Sequence, residues 1–374
     1  MTTHVILPCT IYQDENGIYE WLEQFPDSVR ILILGCKRVA RLGDAYENIL
    51  EALQHFQTKI ELISAEHPTE DQARQVHTVL SEGSYSHVLA VGGGSIIDLS
   101  KAALYLMYYT DFDEQKPHQR AENDSKPKLV AVPTTLSGAE VNPGFGIVDS
   151  YRNKKVIWDE RLAPQDVLYR PNAFEGAPIE LIQASGINAI AHCLEGFYTK
   201  ARDTWCDALA YDALYLLIEW LPRLGSDDFT VSGTLGLQRA SAEAGWVAYQ
   251  SKPALHHAIC HVLGSRLGVG HAIANVIMLP YVLDTVPKEA WGESLNRIIS
   301  ILQIANSGSG SGISKLVREF IEVLFGKPPR LGDYISDIRI LPEIAKLISG
   351  LPLVNNHPIP LSPIDVEDIL RNAL

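Results

Sequence analysis

Cysteine is scarce and scattered: five occur in 374 residues, at positions 9, 36, 193, 206 and 260. No two share the CxxC spacing, and an odd, dispersed set is not a disulfide framework. Long hydrophobic runs are missing too, since none reaches the roughly 18 apolar residues of a membrane span. The opening stretch MTTHVILPCTIYQDENG lacks a basic start followed by an apolar core, the mark of a secretory signal. A soluble protein of a reducing, cytoplasmic compartment is expected. Positive charge is in deficit, with 31 Lys and Arg against 45 Asp and Glu and a net charge of −14. This argues against nucleic acid or an anionic membrane as partner. A small anionic substrate stays open, because a few local cations outweigh a distant field. No internal repeat is evident.

What is present is an ordinary globular composition, 46% apolar and 20% charged, on a chain long enough for two domains. Short apolar runs punctuate the first third: RILILG at 30–35, KIELIS at 59–64, HVLAV at 87–91 and Leu129–Val132. Amphipathic stretches separate them, including EDQARQVHTVLSEG and a helix expected over Ile96–Tyr109. Apolar runs of about five residues alternating with helical patterns read as buried parallel strands with crossover helices. The polar segment 111–128 is expected to be an exposed loop. After residue 178 the strand pattern stops, and ELIQASGINAIAHCLEGFYTK, CDALAYDALYLLIEWLPRL, QRASAEAGWVAYQ and ALHHAICHVLGSRLG show helical spacing. The fold class expected is an α/β doubly wound parallel-sheet domain, residues 1–177, followed by an all-helical domain, residues 178–374. NSGSGSG at 306–312 is expected to be a loop between helices.

Two turns of the α/β half suit a phosphate. Gly92, Gly93, Gly94 and Ser95 stand where a strand ends and a helix begins. Three glycines permit close backbone approach, and the N–H groups of a first helical turn face the anion. Ser95 can cap the helix; Asp98 and Lys101 follow it. The motif is neither GxGxxG nor a P-loop. Thr134, Thr135 and Ser137 end the next strand with three hydroxyls, a second wall for one nucleotide crevice.

The helical half holds a histidine constellation. Asn188 and His192 are four apart and share a helix face. His261 and His271 come later, with His256 and His257 just before. One helix giving two ligands, joined by two distant histidines, is a metal-site pattern, though any single histidine is more often a satisfied structural residue.

Taken together, GGGSIIDLSK (92–101), VPTTLSGAE (132–140), SGINAIAHCLEG (185–196) and HHAICHVLG…GHAIAN (256–275) resemble the iron-containing alcohol dehydrogenase family. Order and spacing match over roughly residues 28–285. The resemblance implies an N-terminal dinucleotide-binding domain, a C-terminal helical domain, an active site in the cleft between them, hydride transfer with a nicotinamide cofactor, and a homodimer. It also implies a metal site of one Asp and three His. The histidines fall on His192, His261 and His271, while the Asp falls on Asn188. A carboxamide does not neutralise the metal's charge as a carboxylate does, so a dication binds more weakly. Within the family, the sequence resembles the maleylacetate reductase branch. That branch has Asn at this position, a threonine loop of this length (Glu140 is the fifth residue after Thr135), a segment like HHAICHVLG, and no metal requirement. The match departs from the branch at Asn275, where a further histidine is usual, and from the family at Arg170, where Asp commonly precedes Pro171.

Where NAD-preferring relatives place an acid after the first strand, this chain has Cys36, then Lys37 and Arg38. Two cations and no carboxylate favour a 2′-phosphate, so the coenzyme is NADPH or NADH, with NADPH favoured. For hydride transfer without a metal, Asn188, His192, His257, His261 and His271 are the candidates to donate hydrogen bonds and a proton. Lys154 and Lys155, with Lys252 and Arg266 beside the histidines, are the cations available to a substrate carboxylate. The leading expectation is a metal-independent NAD(P)H reductase of an unsaturated or keto carboxylic acid. The alternatives are an Fe- or Zn-dependent alcohol dehydrogenase of a small alcohol or aldehyde, and a non-reductase ligand-binding or lyase-like member of the fold.

Overall fold

Apolar runs that cannot leave either face to water stack into one parallel sheet. The structure, a computed structural model, describes residues 9–14, 16–36, 44–64, 67–113, 118–119, 126–305 and 312–374. The chain divides into two compact units, Met1–Pro178 with Thr230–Gln238, and Ile179–Phe229 with Arg239–Leu374.

In the first unit the elements run β1 (Thr10–Gln13), α1 (Gly17–Leu22), β2 (Arg30–Cys36), α2 (Asp44–Ala52), β3 (Gln57–Ile63), α3 (Glu70–Gly83), β4 (His87–Gly92), α4 (Gly94–Tyr105), β5 (Lys128–Pro133), β6 (Gly144–Val148), β7 (Lys154–Trp158) and β8 (Asp166–Tyr169). Among the described residues six strands form a parallel sheet in the order β1-β8-β5-β4-β2-β3. Every residue of β4 is buried, as is β5 beyond Lys128. Trp21, Ile31, Ile33, Leu89, Val91, Val130 and Val132 share one core there. In register, Gly92 pairs with Pro133 and Gly35 with Val91, so the carboxyl ends of β5, β4 and β2 lie side by side. That edge is where open parallel sheets bind ligands.

The second unit is helical among its described residues: α5 (Ile179–Tyr198), α6 (Thr204–Trp220), α7 (Val231–Ser251, whose first turns count with the first unit), α8 (Leu255–Leu267), α9 (His271–Leu283), α10 (Leu295–Leu302), α11 (Ile313–Phe325), α12 (Leu341–Ser349) and α13 (Pro363–Asn372). α5 is buried on nearly all sides from Ile182 to Tyr198, the pattern of an interior helix. Leu255, Ile259, Leu263, Met278, Val282, Leu341, Ile344, Ile348 and Ile369 form a core that fixes α8 and α9 against α12 and α13. No described helix is long and apolar enough to cross a membrane.

The sequence reading missed β1, β8 and the antiparallel hairpin β6–β7. The first two have only four residues, and glycines and lysines blur the hairpin's alternation. The helix after β4 spans Gly94–Tyr105 rather than Ile96–Tyr109, because its N-cap is Gly93. Ser95, expected to cap it, sits inside the first turn, and no side chain caps that end. Of the stretches expected to be loops, 114–117, 120–125 and 306–311 lie outside the described residues.

Candidate active site

The strand–glycine–helix turn and the threonine loop meet. A β-carbon at Gly93 would stand 2.9 Å from both Cγ2 and Oγ1 of Thr135, and one at Gly94 would stand 2.9 Å from Cβ and Oγ of Ser137. Thr134 N–H donates to Gly92 O at 3.0 Å, tying the loops at their base. Gly93, Gly94, Ser95, Thr134, Thr135 and Ser137 are all half-buried, so backbone and hydroxyls together reach solvent at the carboxyl edge. A helix N-terminus backed by hydroxyls and clear of β-carbons suits a pyrophosphate. Cys36 ends the neighbouring strand β2, while Lys37 and Arg38 lie outside the described residues.

One helical turn on, the chain has a different task. Asp98 Oδ2 accepts the Gly146 N–H at 3.0 Å. Lys101 is fully buried and donates from Nζ to Ala139 O at 2.6 Å and Gly144 O at 2.9 Å. Burial lowers the Lys101 ammonium to about 8 and raises the Asp98 carboxyl. The two side chains hold the threonine loop and strand β6 against α4. Lys154, named among the catalytic candidates, lies on β7 of this first unit, where its Cε would stand 2.5 Å from a β-carbon on Gly146.

The histidines gather in the second unit. On α5, Asn188, His192 and Glu195 follow i, i+4, i+7 and share a face. α8 presents His257 and His261 one turn apart, and α9 opens with His271. Gly268 makes this spacing possible: its φ of 69° reverses the chain after α8, with Gly268 N–H on Gly264 O and Val269 N–H on Leu263 O. His257 is the hub. Its ring stacks on His192 at 4.5 Å and 17°, and lies 6.2 Å from His271 and 6.5 Å from His261. His261 and His271 are 5.7 Å apart. The sequence reading grouped His192 with His261 and His271, but the ring stacked on His192 is His257.

Glu195, 1% exposed, anchors this cluster. Its Oε2 lies 2.5 Å from His257 Nδ1, and its Oε1 accepts from the His256 N–H at 3.0 Å and the Tyr198 hydroxyl at 3.4 Å. Burial pushes its carboxyl up, opposed by the histidines around it. Burial, then the neighbouring His257, holds His192 well below the usual imidazole range, so it is neutral near pH 7. Its Nδ1 makes no hydrogen bond, and neither does Asn188 Oδ1. His256 is set apart: burial lowers it to about 4, and its Nε2 lies 2.7 Å from Asn275 Oδ1. Asn275 Nδ2 donates to His271 O at 2.7 Å. The Asn275 amide therefore ties α8 to the start of α9.

Compensating charge among these rings would favour a resident metal ion. Asn188 supplies none, and the carboxylate on the same face, Glu195, is committed to His257 and to backbone. Among the described residues no group of three or more His, Cys, Asp or Glu is placed to hold a metal ion. The glycine–threonine cradle fits a dinucleotide.

Residues 8–171 match the iron-containing alcohol dehydrogenase family, and residues 182–374 match the Fe-containing alcohol dehydrogenase family, C-terminal. The chain belongs to the iron-containing alcohol dehydrogenase family. Within this group of oxidoreductases it stands close to the maleylacetate reductases. Maleylacetate reductase 2 of Cupriavidus pinatubonensis is 32% identical over 232 residues, 62% of this chain and 59% of that protein, so the match spans under two thirds of the relative's length. Two solved structures share the fold: maleylacetate reductase from Agrobacterium tumefaciens (TM-score 0.81, 22% identity, 100% of this chain and 98% of that one) and sulfoacetaldehyde reductase from Bifidobacterium kashiwanohense in complex with NAD+ (TM-score 0.83, 17% identity, 100% and 98%).

Membership in the iron-containing alcohol dehydrogenase family puts Asn188 and Glu195 in sharper relief. Sequence reasoning passed over Glu195, although a signal was there. An acid three residues after His192, inside an interior helix, requires a bonded partner, because a buried unpaired carboxylate is costly. Asn275 was noticed only as a departure from the branch; its bridging role needed the fold.

Proposed function

We propose that this chain is an NAD(P)H-dependent reductase of an unsaturated or keto carboxylic acid, similar to maleylacetate reductase, working without a resident metal. The observation that carries the reading is Asn188, buried and uncharged, on the same helix face as His192 within a cluster of histidines. The similarity to a maleylacetate reductase supports it. The NAD+ bound by the sulfoacetaldehyde reductase of the same fold supports a nicotinamide coenzyme here.

Gly92, Gly93, Gly94 and Ser95 would hold the coenzyme's pyrophosphate at the start of α4, with Thr134, Thr135 and Ser137 as the opposite wall and Cys36 beside the adenosine ribose. NADPH is favoured over NADH, through Lys37 and Arg38. When bound, the coenzyme supplies the hydride that adds to carbon. The protein must then stabilise the charge that develops on oxygen and deliver a proton. His192, His257, His261 and His271 share that task, with Asn188 able to donate from its amide. Lys154 or Lys252 would meet the substrate's carboxylate.

The test is a panel of keto and unsaturated acids, with small aldehydes as comparison, following NADPH and NADH oxidation with and without EDTA. Turnover of an acid that survives EDTA is expected. Activity confined to aldehydes and abolished by EDTA would replace this reading with a metal-dependent alcohol dehydrogenase. Coenzyme binding without turnover of any carbonyl would point to a non-reductase.

A further inference from the structure

Lys101 is a cation with no water to face: its side chain is fully buried, and a buried charge is costly unless it is hydrogen-bonded. It stands seven residues after Gly94, two turns along α4 and on the same face of the helix. Its ammonium donates to Ala139 O at 2.6 Å and to Gly144 O at 2.9 Å, so it grips both ends of the segment that follows Ser137 and Gly138. Asn142 closes that segment from within, donating from Nδ2 to Gly138 O at 2.9 Å and accepting the Gly144 N–H at 3.0 Å. Gly138, with a φ of 70°, makes the bend between Ser137 and Ala139. The next bond leads to the cradle. Ala139 N–H donates to Ser137 Oγ at 3.3 Å, and that hydroxyl borders Gly94, where a β-carbon would stand 2.9 Å from it. One face of α4 therefore braces the loop twice, at Gly94 through Ser137 and at Lys101 through Ala139.

We propose that Lys101 is a positioning residue for the coenzyme, acting through Ser137 rather than by touching the pyrophosphate. Holding Ala139 by its carbonyl keeps the Ala139 N–H on Ser137 Oγ. With one lone pair so occupied, the hydroxyl stays over the start of α4 and has its own hydrogen to donate to a phosphate oxygen. The ammonium is committed to two carbonyls and lies two turns from the glycines, so the loop carries its effect, not an ion pair with the phosphate. This deepens the reductase reading and rests on its assignment of the glycine–threonine turn to the coenzyme.

A double-mutant cycle tests it. Lys101→Met keeps the length of the side chain and removes the ammonium, and Ser137→Ala removes the hydroxyl. In calorimetric titrations with NADPH and NADH, each change alone is expected to raise Kd roughly tenfold. Adding Lys101→Met to Ser137→Ala should raise Kd by less than about twofold more, because both act through one group. Coenzyme KM should follow Kd, while kcat at saturating coenzyme stays within about threefold. Lys101→Gln, which keeps an N–H donor, should fall between wild type and Lys101→Met.

Hydrogen–deuterium exchange without coenzyme gives a reading free of turnover. Amides of residues 137–146 should exchange faster in Lys101→Met, and those of Leu129–Val132 should not. If no acid is turned over, the reductase reading falls, while titration and exchange still decide the role of Lys101. A rise in Kd by the same factor with and without Ser137, the result of a direct ion pair, would overturn the proposal. So would an unchanged Kd, or loop amides that exchange as in the wild type. If Lys101→Met does not fold, Lys101→Gln goes through the same cycle with Ser137→Ala, and the same outcomes decide.

Discussion

Gly93 lies against Thr135 so closely that a β-carbon on the glycine would stand 2.9 Å from two atoms of the threonine. Two loops separated by some forty residues in sequence thus become one surface, and the gap between them is set by what the glycine lacks.

Gly93→Val is therefore expected to raise the Kd of the nicotinamide coenzyme at least about tenfold, a loss of ~1.4 kcal/mol. Two effects act together, the side chain in the anion's approach and the displaced Thr135. Combining Gly93→Ala with Thr135→Ala separates them, because the second change removes both Oγ1 and Cγ2. The double variant should melt close to wild type yet still bind coenzyme weakly. Calorimetric titration giving unchanged affinity in a folded variant would remove the cradle assignment.

Coenzyme choice is tested at Lys37 and Arg38, which follow the end of β2. Replacing both with Ala should weaken NADPH by roughly tenfold or more, since a charge-assisted bond contributes about 1.5–3 kcal/mol. NADH binding should hardly change. Equal losses for both coenzymes, or a wild-type preference for NADH, would count against a 2′-phosphate contact.

Metal content is tested at position 188. Purified wild-type protein is expected to hold well under one equivalent of Fe or Zn. Asn188→Asp adds the missing carboxylate to a buried face shared with His192, and should raise the bound metal measured by plasma mass spectrometry. Without metal the same variant should be less stable, because its new charge has no partner. Stoichiometric metal in the wild type would mean that an amide suffices here.

Acid stability should reflect His357. Its ring is 1% exposed, with Nε2 3.2 Å from the Thr285 hydroxyl, and burial lowers it to about 4. The folded form binds this proton less readily than the unfolded chain, whose imidazole titrates near its ordinary value of about 6.5. Unfolding therefore takes up a proton between those values, and stability falls as pH drops from about 6.5 towards 4. His357→Gln should flatten that part of the stability–pH curve in denaturant titrations. An unchanged slope would show that His357 is not one of its sources.

The order of elements was largely legible because each depends on a local pattern. RILILG and HVLAV can be buried on both faces only as interior strands, and EDQARQVHTVLSEG carries its own capping box, Thr69 with Gln72. The elements that escaped notice were short or depended on neighbours. β8 has four residues and exists because β1 and β5 flank it. The β6–β7 hairpin is held by Asp98 and Lys101, residues whose sequence position beside the glycines suggested the coenzyme instead.

By itself the sequence determined the chemistry on offer: a glycine turn free of β-carbons, hydroxyls in the following loop, and an uncharged Asn188 beside several histidines. Composition and periodicity act over one or two turns, so they reach that far. Only the tertiary structure decided which groups work together. His257 and His261 are one turn apart on one helix, and nothing in their spacing says which stacks on His192. That depends on how α5 and α8 pack, and on Glu195 finding in His257 the partner that a buried carboxylate requires. Tertiary packing likewise turned Asn275 from an odd residue into the tie between two helices, because its carbonyl oxygen meets His256, a group that the chain brings within reach only after folding.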